Sequence, residues 1–421
     1  MNDSKVHSYL SQMMPRRILH TAEVLYSPDG GDPRTDQGVL VDEDGKVLAI
    51  ASTSQLQGEA DERRDHQLLM PGVLNAHIHL TDAGRKSTVP GGEGLVAWVR
   101  NLMRARDGNR TEEEQDADIL TTLKEMIGRG TVAVGEVVNH PRTVKLIVDS
   151  GIHCRLIHEL IGFSEERAEE KITFAEKLYA DVEWSEQLRH ALGVHAPYSV
   201  SFALMEAIEL WSRERGSYVY QHLAEDPAER DLYERGEGEW VQFLKEIGSW
   251  DETFQPPGIS PIAYYDARGF LSDRFVAVHL ADARAEEIRL LASRGVKVIL
   301  SPTSNLHITG LLPPVRQMVE EGMTLALGTD GRGSNPSMDV FDEARFLYSH
   351  FPDLPAGTLL RALTLGGAEV LGFPQLGRVA VGTRPGLVSV ESMGKTINPE
   401  HLEDSIFSAE TAVTSIYSDS E

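Results

Sequence analysis

The chain has 421 residues, with 40 Lys and Arg against 65 Asp and Glu, which gives a formal net charge of −25. This charge disfavours nucleic acids and anionic membranes as partners, because both present phosphates that a basic surface must neutralise. The single cysteine, Cys154, excludes an intrachain disulfide and a zinc site built on cysteine pairs. No apolar run reaches the roughly 18 residues of a membrane-spanning helix. The first residues lack the apolar stretch of a secretory signal, so we expect a cytoplasmic protein.

The first part of the chain, residues 1–70, predicts short strands joined by turns. Apolar and polar residues alternate around 17–27 and 37–52, and Asp44-Gly45 is a hairpin signal. The last part, residues 373–421, repeats this pattern before a polar, acidic tail. Because the two ends of a barrel chain can meet, we expect both parts to form one small β-sandwich domain.

Between these parts, residues 71–372 alternate short runs rich in Val, Ile and Ala with longer amphipathic stretches. The predicted strands cover 73–79, 131–138, 153–160, 190–195, 217–222, 274–279, 296–300 and 323–328. The predicted helices lie near 112–128, 141–150, 164–180, 201–215, 283–294, 312–321 and 339–350. Such units predict an α/β fold, a (β/α)8 TIM barrel. An open doubly wound sheet is the alternative, but the glycine-rich stretch 92–97 has no strand close before it, as a dinucleotide-binding loop would.

Histidines and one aspartate stand at the C-terminal ends of the predicted strands, where barrel enzymes place their active sites. His77 and His79 end the first strand, His222 ends the fifth, His279 ends the sixth, and Asp330 ends the eighth. Residues two apart on a strand face the same side, so both imidazoles of the first strand enter the barrel mouth together. Several imidazoles and one carboxylate at one mouth form a site for a borderline divalent metal, zinc or alternatively iron.

Further polar residues at or near the same strand ends are candidate substrate contacts: His195, Glu159, Glu136 and Arg155. His140 and His307 lie in predicted loops, and we interpret them as structural. The insert 226–272, after the fifth strand, belongs to a connection far longer than the usual few residues. It carries several aromatic residues. We expect most of them to form the insert's own small core, and the insert to cover the active site.

Four features resemble the amidohydrolase superfamily: PGVLNAHIHLTD at 71–82, His222-Leu-Ala-Glu225, the strand-end His279, and LGTDGRGSNPSMDVFDEAR at 327–345. The pattern is similar to the mononuclear purine and triazine branch, which includes nucleoside deaminases, guanine deaminase and chlorohydrolases. Dinuclear members carry a carboxylated lysine at the end of the fourth strand. This chain has GVHAPYS there and no lysine, so the resemblance implies one metal ion per chain.

The resemblance also implies a role for each strand-end residue. The metal ligands would be His77, His79, His222 and Asp330. Asp330 would also accept a proton from the attacking water, which His279 would orient. Glu225 would protonate the ring nitrogen beside the carbon under attack. No HExxH, P-loop or G-x-S-x-G motif points to a different chemistry.

Within that branch, the stretch 220–280 resembles the aminofutalosine deaminases of menaquinone biosynthesis, which implies 6-amino-6-deoxyfutalosine as the substrate. Its benzoate would need apolar walls and a cation, for which Arg155, Arg235 and Arg268 are candidates. The alternatives are deamination of S-adenosylhomocysteine, methylthioadenosine, adenosine or guanine, a chlorohydrolase activity, and a non-catalytic metal-binding relative. The expected partner is a small-molecule substrate, and the candidate assembly is a homodimer.

Overall fold

The computed structural model describes residues 16–29, 31, 33–85, 89–105, 110–392, 396–407 and 411–417. The β-domain was predicted at 1–70 and 373–421. The following parts of it lie outside the described residues: 1–15, 30, 32, 393–395, 408–410 and 418–421. Its N-terminal part forms four strands: β1 Arg17–Leu25, β2 Arg34–Asp42, β3 Val47–Ser52 and β4 Glu62–Met70.

Eight further strands form a parallel sheet in which each strand lies beside the next one along the chain. They are β5 Val73–Ile78, β6 Thr131–Val138, β7 His153–Leu160, β8 Leu188–Val194, β9 Val219–Leu223, β10 Phe275–His279, β11 Lys297–Leu300 and β12 Leu325–Leu327. Asp330, just after β12, donates its backbone N–H to the carbonyl oxygen of His77 on β5 at 2.9 Å. This bond closes the sheet, so the predicted (β/α)8 barrel is confirmed.

Helices lie between the strands of both sheets, and those that alternate with the barrel strands cover the outside of the barrel. They are α1 Thr53–Leu56, α2 Leu95–Arg104, α3 Glu112–Gly128, α4 Thr143–Ser150, α5 Ala168–Leu178, α6 Phe202–Glu214, α7 Pro227–Arg235, α8 Glu239–Glu246, α9 Pro261–Ala267, α10 Ala285–Ser293, α11 Pro302–Thr309, α12 Val315–Glu320, α13 Val340–His350, α14 Thr358–Arg361, α15 Gly367–Leu371 and α16 Leu402–Ile406. None of these helices, within the described residues, is long and apolar enough to cross a bilayer.

The barrel strands are apolar on both faces, because side chains alternate between the inside of the barrel and the layer of helices. On β6, Ala133 and Val137 pack with residues of other barrel strands, whereas Val134 and Val138 pack against α3. A strand that is apolar on both faces belongs in a buried parallel sheet with helices outside it. The covering helix α3 begins at a reciprocal capping box between Thr111 and Glu114, whose side chains accept each other's backbone N–H.

The two chain ends meet in a second, mixed sheet of six strands, in the order β14-β13-β4-β1-β2-β3. The C-terminal part supplies β13 Val388–Ser392 and β14 Thr411–Ser415. β13 pairs antiparallel with β4, and β1 runs parallel to β4. The shared β-domain is thus confirmed, and its described strands are hydrogen-bonded as one continuous sheet.

The predicted insert contains three helices, α7, α8 and α9, between β9 and β10. Trp240 and Phe243 on α8 pack in one cluster with Tyr233 of α7. The same cluster includes Leu95 of α2 and Tyr198, which follows β8. The aromatic residues of the insert therefore form a core that is continuous with the rest of the barrel mouth.

Candidate active site

The two histidines of β5 reach the barrel mouth together. The ring centroids of His77 and His79 lie 5.1 Å apart. Their Nε2 atoms lie 3.6 Å and 3.4 Å, respectively, from Oδ1 of Asp330. Both imidazoles therefore converge on one carboxylate oxygen, which comes from the last strand of the barrel.

His222, on β9, brings a third imidazole to the same point. Its Nε2 lies 3.3 Å from Nε2 of His77. Its Nδ1 lies 2.8 Å from the carbonyl oxygen of His195, which can only accept, so Nδ1 carries the proton. The Nε2 lone pair is then free to bind a cation, since a hydrogen bond from the other ring nitrogen fixes the tautomer and orientation of metal-binding histidines.

The side chain of Asp330 is oriented by hydroxyl groups. Its Oδ2 accepts a hydrogen bond from Oγ of Ser304 at 2.6 Å, and Oγ of Ser334 lies 3.3 Å away. Burial alone would raise the pKa of Asp330, but its contacts with His77 and His79 hold that pKa well below the usual range. The carboxylate is therefore ionised and directs Oδ1 toward the imidazoles.

This donor set fits one divalent cation. Among the described residues, three groups are close enough together to hold a metal ion: His77 with His222 and His279, His77 with His79 and Asp330, and Glu159 with His195 and His222. Burial lowers the pKa of His77 to about 4, so its imidazole is neutral and can offer a lone pair. Neutral imidazoles with a carboxylate are ligands that zinc accepts in catalytic sites.

Two further side chains face one another beside this cluster. Oε1 of Glu225, which follows β9, lies 3.7 Å from Nε2 of His279 at the end of β10. Burial raises the pKa of Glu225 well above its usual value, and the nearby carboxylates of Asp330, Glu229 and Asp226 raise it further. Burial also lowers the pKa of His279 well below its usual value. The mouth thus holds a protonated carboxyl beside a neutral imidazole.

Backbone strain concentrates at these strand ends. Within the described residues, five non-glycine residues have positive φ, and four of them lie here: Ala224 at 48°, His279 at 79°, Leu280 at 55° and Asp330 at 61°. Such conformations cost of order 1–3 kcal/mol each and cluster at functional sites. The fold therefore holds the polar side chains in these orientations against local backbone preference.

A cavity of about 620 Å³ opens above the cluster. Its floor includes His79, His195, His222, Glu225, His279 and Asp330. Apolar side chains of α2 and α8 line its walls: Leu95, Trp98, Val99, Leu102, Trp240, Phe243 and Leu244. Two cations, Arg85 and Lys171, also line it. The cavity thus has a polar floor and mainly apolar walls, as small-molecule sites do.

Of the four predicted substrate contacts, His195 alone lines the cavity, at its floor. Its Nδ1 lies 2.6 Å from Oγ of Ser199, and burial lowers its pKa well below the usual value. Glu159 lies beside His222, with Oε1 3.3 Å from Nδ1 of that histidine. Glu136 is fully buried and accepts the backbone N–H of Leu80 at 2.9 Å. Glu159 and Glu136 therefore support ligand-bearing segments and do not face the cavity.

The three predicted carboxylate-binding arginines are not in the cavity. Arg155 lies near the start of β7 and donates to the carbonyl oxygens of Leu371 and His190 at 3.0 Å and 2.9 Å. Arg235 pairs with two acidic neighbours on the surface, and Arg268 stacks on Phe202 at 3.9 Å. The prediction of these arginines as cavity residues was wrong, because chain proximity to the mouth does not fix which way a side chain points.

Comparisons with known proteins agree with this geometry. The sequence profile of the Amidohydrolase family matches residues 68–417. The chain is 26% identical over 394 residues to a 5'-deoxyadenosine deaminase of Methanopyrus kandleri, covering 89% of this chain and 86% of that protein. It is 27% identical over 366 residues to an aminodeoxyfutalosine deaminase of a Nitratiruptor species, covering 83% and 87%. A zinc-bound adenosine deaminase from Xanthomonas campestris has a TM-score of 0.76 at 26% identity, covering 94% of this chain and 90% of that one.

Proposed function

This chain belongs to the Amidohydrolase family of metal-dependent hydrolytic enzymes, and we propose that it removes the exocyclic amine of a 6-aminopurine nucleoside. One observation supports the proposal: at the floor of one cavity, Glu225 and His279 lie beside His79, His222 and Asp330, three members of the proposed metal-binding set. A non-catalytic metal-binding protein would not need Glu225 and His279. Relatives that deaminate adenine nucleosides support the same reaction class.

The proposed metal is zinc, one ion per chain, held by His77, His79, His222 and Asp330. Iron is the alternative. Bound zinc supplies hydroxide near neutral pH, because it lowers the pKa of water from 15.7 to about 7.

The chain's own residues provide the proton transfers. Asp330 accepts the proton of the attacking water, while Nε2 of His279 orients that water by a hydrogen bond. Glu225, protonated in the buried site, gives its proton to the ring nitrogen beside the amino-bearing carbon. An O–C bond then forms, and the C–N bond breaks as the proton held by Asp330 joins the amine, which leaves as ammonia. The hydroxyl proton that remains on the new oxygen returns to Glu225, so the product keeps a carbonyl group and a protonated ring nitrogen.

The finer proposal is that the substrate is 6-amino-6-deoxyfutalosine, whose benzoate carries a negative charge at the far end of the nucleoside. The apolar walls suit an aromatic ring, and Lys171 suits the carboxylate. Lys171 is half-buried and has no ion pair among the described residues, whereas Arg85 is paired with Asp82 at 3.0 Å. The stem of Lys171 crosses Gly162, where an added Cβ would lie 2.4 Å from Cε.

Neutral nucleosides are the second candidate class. The apolar side chains of Trp98 and Phe243 in the cavity walls would also accept a small uncharged 5' group, such as that of 5'-deoxyadenosine. Guanine deamination and triazine dechlorination share the metal site, but a chloride leaving group does not require the acid at Glu225.

The test is a panel of compounds assayed for ammonia release by metal-loaded enzyme. It contains 6-amino-6-deoxyfutalosine, S-adenosylhomocysteine, methylthioadenosine, adenosine, 5'-deoxyadenosine and guanine. The proposal expects turnover of the 6-aminopurine nucleosides, with the highest kcat/KM for the futalosine compound. A higher kcat/KM for another nucleoside would overturn the substrate assignment alone, and no ammonia from any of them would overturn the deaminase.

A further inference from the structure

Glu225 lies in a short loop that other parts of the chain hold on both sides. The backbone N–H of Ala224 donates to Oε1 of Glu229 at 2.8 Å, and its carbonyl accepts the N–H of Asp282 at 2.7 Å. Ala224 has a φ of 48°, a conformation that an alanine rarely adopts unaided. The orientation of Glu225 therefore depends on these outside contacts.

Asp226, on the other side of Glu225, binds two helices at once. Its Oδ1 accepts the backbone N–H of Ala228 at 2.7 Å, which caps α7. Its Oδ2 accepts the backbone N–H of Leu95 at 2.9 Å, the first residue of α2. The residue preceding α2 is Gly94, which has no side chain to cap the helix. Asp226, 131 positions along the chain, therefore supplies the hydrogen bond that a local cap would provide.

The helix held in this way is a wall of the active site. Leu95, Trp98, Val99 and Leu102 of α2 all line the cavity. Helix α2 also packs against α8, and an ion pair between Arg100 and Glu246 at 2.8 Å joins the two helices. The side chains of Asp226 and Glu225 are both buried, with exposed fractions of 5% and 4%. The buried carboxylate of Asp226, the residue next to Glu225, thus holds the N-terminus of the helix that lines the cavity.

We propose that Asp226 is a positioning residue that sets the place of Glu225 relative to the cavity wall formed by α2. The link rests on the proposed function, in which Glu225 is the proton donor. The Asp226 side chain then holds α2, against which the substrate packs, and its backbone adjoins Glu225, which protonates the substrate. Loss of the link lets the two move apart, and a displacement of about 1 Å at a reacting group costs up to about 100-fold in rate.

The first test compares two aspartates that each cap a helix. Asp226→Ala removes both hydrogen bonds described above. Asp339→Ala removes the cap of α13, a bond to the N–H of Phe341 at 3.0 Å, at a residue outside the cavity. We expect Asp226→Ala to lower kcat by about 10-fold to 100-fold with an unchanged metal content, and Asp339→Ala to keep the wild-type kcat. Equal kcat values for Asp226→Ala and wild type would overturn the proposal.

A second test removes only the backbone donor at the α2 end of the link. Proline is well tolerated at the first position of a helix, so Leu95→Pro deletes the N–H, and Leu95→Ala controls for the lost side chain. We expect Leu95→Pro to have a lower kcat than Leu95→Ala, and this difference to vanish when Asp226 is also alanine. A difference that persists in the Asp226→Ala background would show that the donor does not act through Asp226.

A third measurement does not depend on turnover. Hydrogen exchange of the segment 89–105 should rise in metal-loaded Asp226→Ala, because the Leu95 amide loses its acceptor, and stay as in wild type in Asp339→Ala. Unchanged exchange would overturn the link itself. If wild type deaminates no compound of the panel while the exchange rises as expected, the deaminase fails and the structural link stands.

Discussion

Ser304 donates its hydroxyl hydrogen to Oδ2 of Asp330 at 2.6 Å. The bond leaves the other oxygen, Oδ1, facing His77 and His79. Ser304 is fully buried at the start of α11, so this orientation is fixed by the barrel and does not depend on solvent. The position of one proposed ligand thus depends on a residue that binds neither metal nor substrate.

Ser304→Ala should therefore weaken metal binding. Loss of an outer-shell partner typically costs about 10-fold to 100-fold in metal affinity, which competition with a chelator would measure. Ser334→Ala is the comparison, because its hydroxyl lies 3.3 Å from the same oxygen but 2.7 Å from Oγ of Ser304, and so acts on Asp330 mainly through Ser304. We expect Ser304→Ala to lose clearly more metal affinity than Ser334→Ala. If both variants keep the same metal affinity, Ser304 does not have this role.

Glu225→Gln should separate chemistry from metal binding. The amide keeps the shape of the side chain but cannot donate a carboxyl proton, so kcat should fall by at least about 100-fold with about one metal ion still bound per chain. His79→Ala should instead lower the metal content. Elemental analysis and assays of ammonia release on the same preparations distinguish the two variants. A near-wild-type rate in Glu225→Gln would show that Glu225 is not the general acid.

Lys171→Met should distinguish anionic from neutral substrates. Hydrogen bonds to charged groups contribute about 1.5–3 kcal/mol, so KM for the futalosine compound should rise by about 10-fold or more, with little change in kcat. KM for 5'-deoxyadenosine should not change. Lys177→Met, an exposed position on the same helix, is the control. If KM rises equally for both substrates in Lys171→Met, Lys171 does not bind the carboxylate of the futalosine compound.

The barrel and its polar mouth could be predicted because both follow from short patterns along single strands. The strand at 131–138 and the helix at 112–128 have the predicted bounds. His77, His222 and Asp330 meet because the C-terminal ends of parallel strands always share one end of a barrel. The resemblance to amidohydrolases, which rested on the same residues, is confirmed.

The parts of the cavity wall that come from α2 and α5 could not be predicted, because these segments carry no strand-end signal, whereas the insert was expected over the site and its α8 does line the cavity. Helix α2 follows a glycine-rich stretch, and its capping aspartate lies in a distant loop. Lys171 on α5 points into the cavity although its neighbour in sequence, Glu170, pairs with Arg167 on the surface. Arg155 was misplaced because it is near the beginning of its strand, away from the mouth. The spacing of residues along the sequence does not show where a long side chain points, nor which distant residue hydrogen-bonds to a loop.

The last prediction concerns stability in acid. It follows from His190, a histidine outside the active site whose Nε2 is buried. Burial lowers the pKa of His190 to about 3, with His158 and Arg155 adding to the shift. The ring stacks on Trp184 with centroids 4.6 Å apart, and its Nε2 is buried without a hydrogen-bond partner among the described residues. Unfolded histidine has a pKa of about 6.5, so below that pH the unfolded chain binds a proton that the folded chain does not. Stability is therefore lost as the pH falls from about 6.5 toward 3.

His190→Phe keeps an aromatic ring against Trp184 and removes this proton. Between pH 6 and pH 4, we expect the free energy of unfolding of the variant to fall less steeply with pH than that of wild type, by up to about one proton in slope. Urea titrations at several pH values would measure it. His350→Phe, at an exposed position stacked on Phe346, is the control and should keep the wild-type slope. If His190→Phe and wild type have the same slope, His190 is protonated in the folded protein and its burial does not set the acid limit.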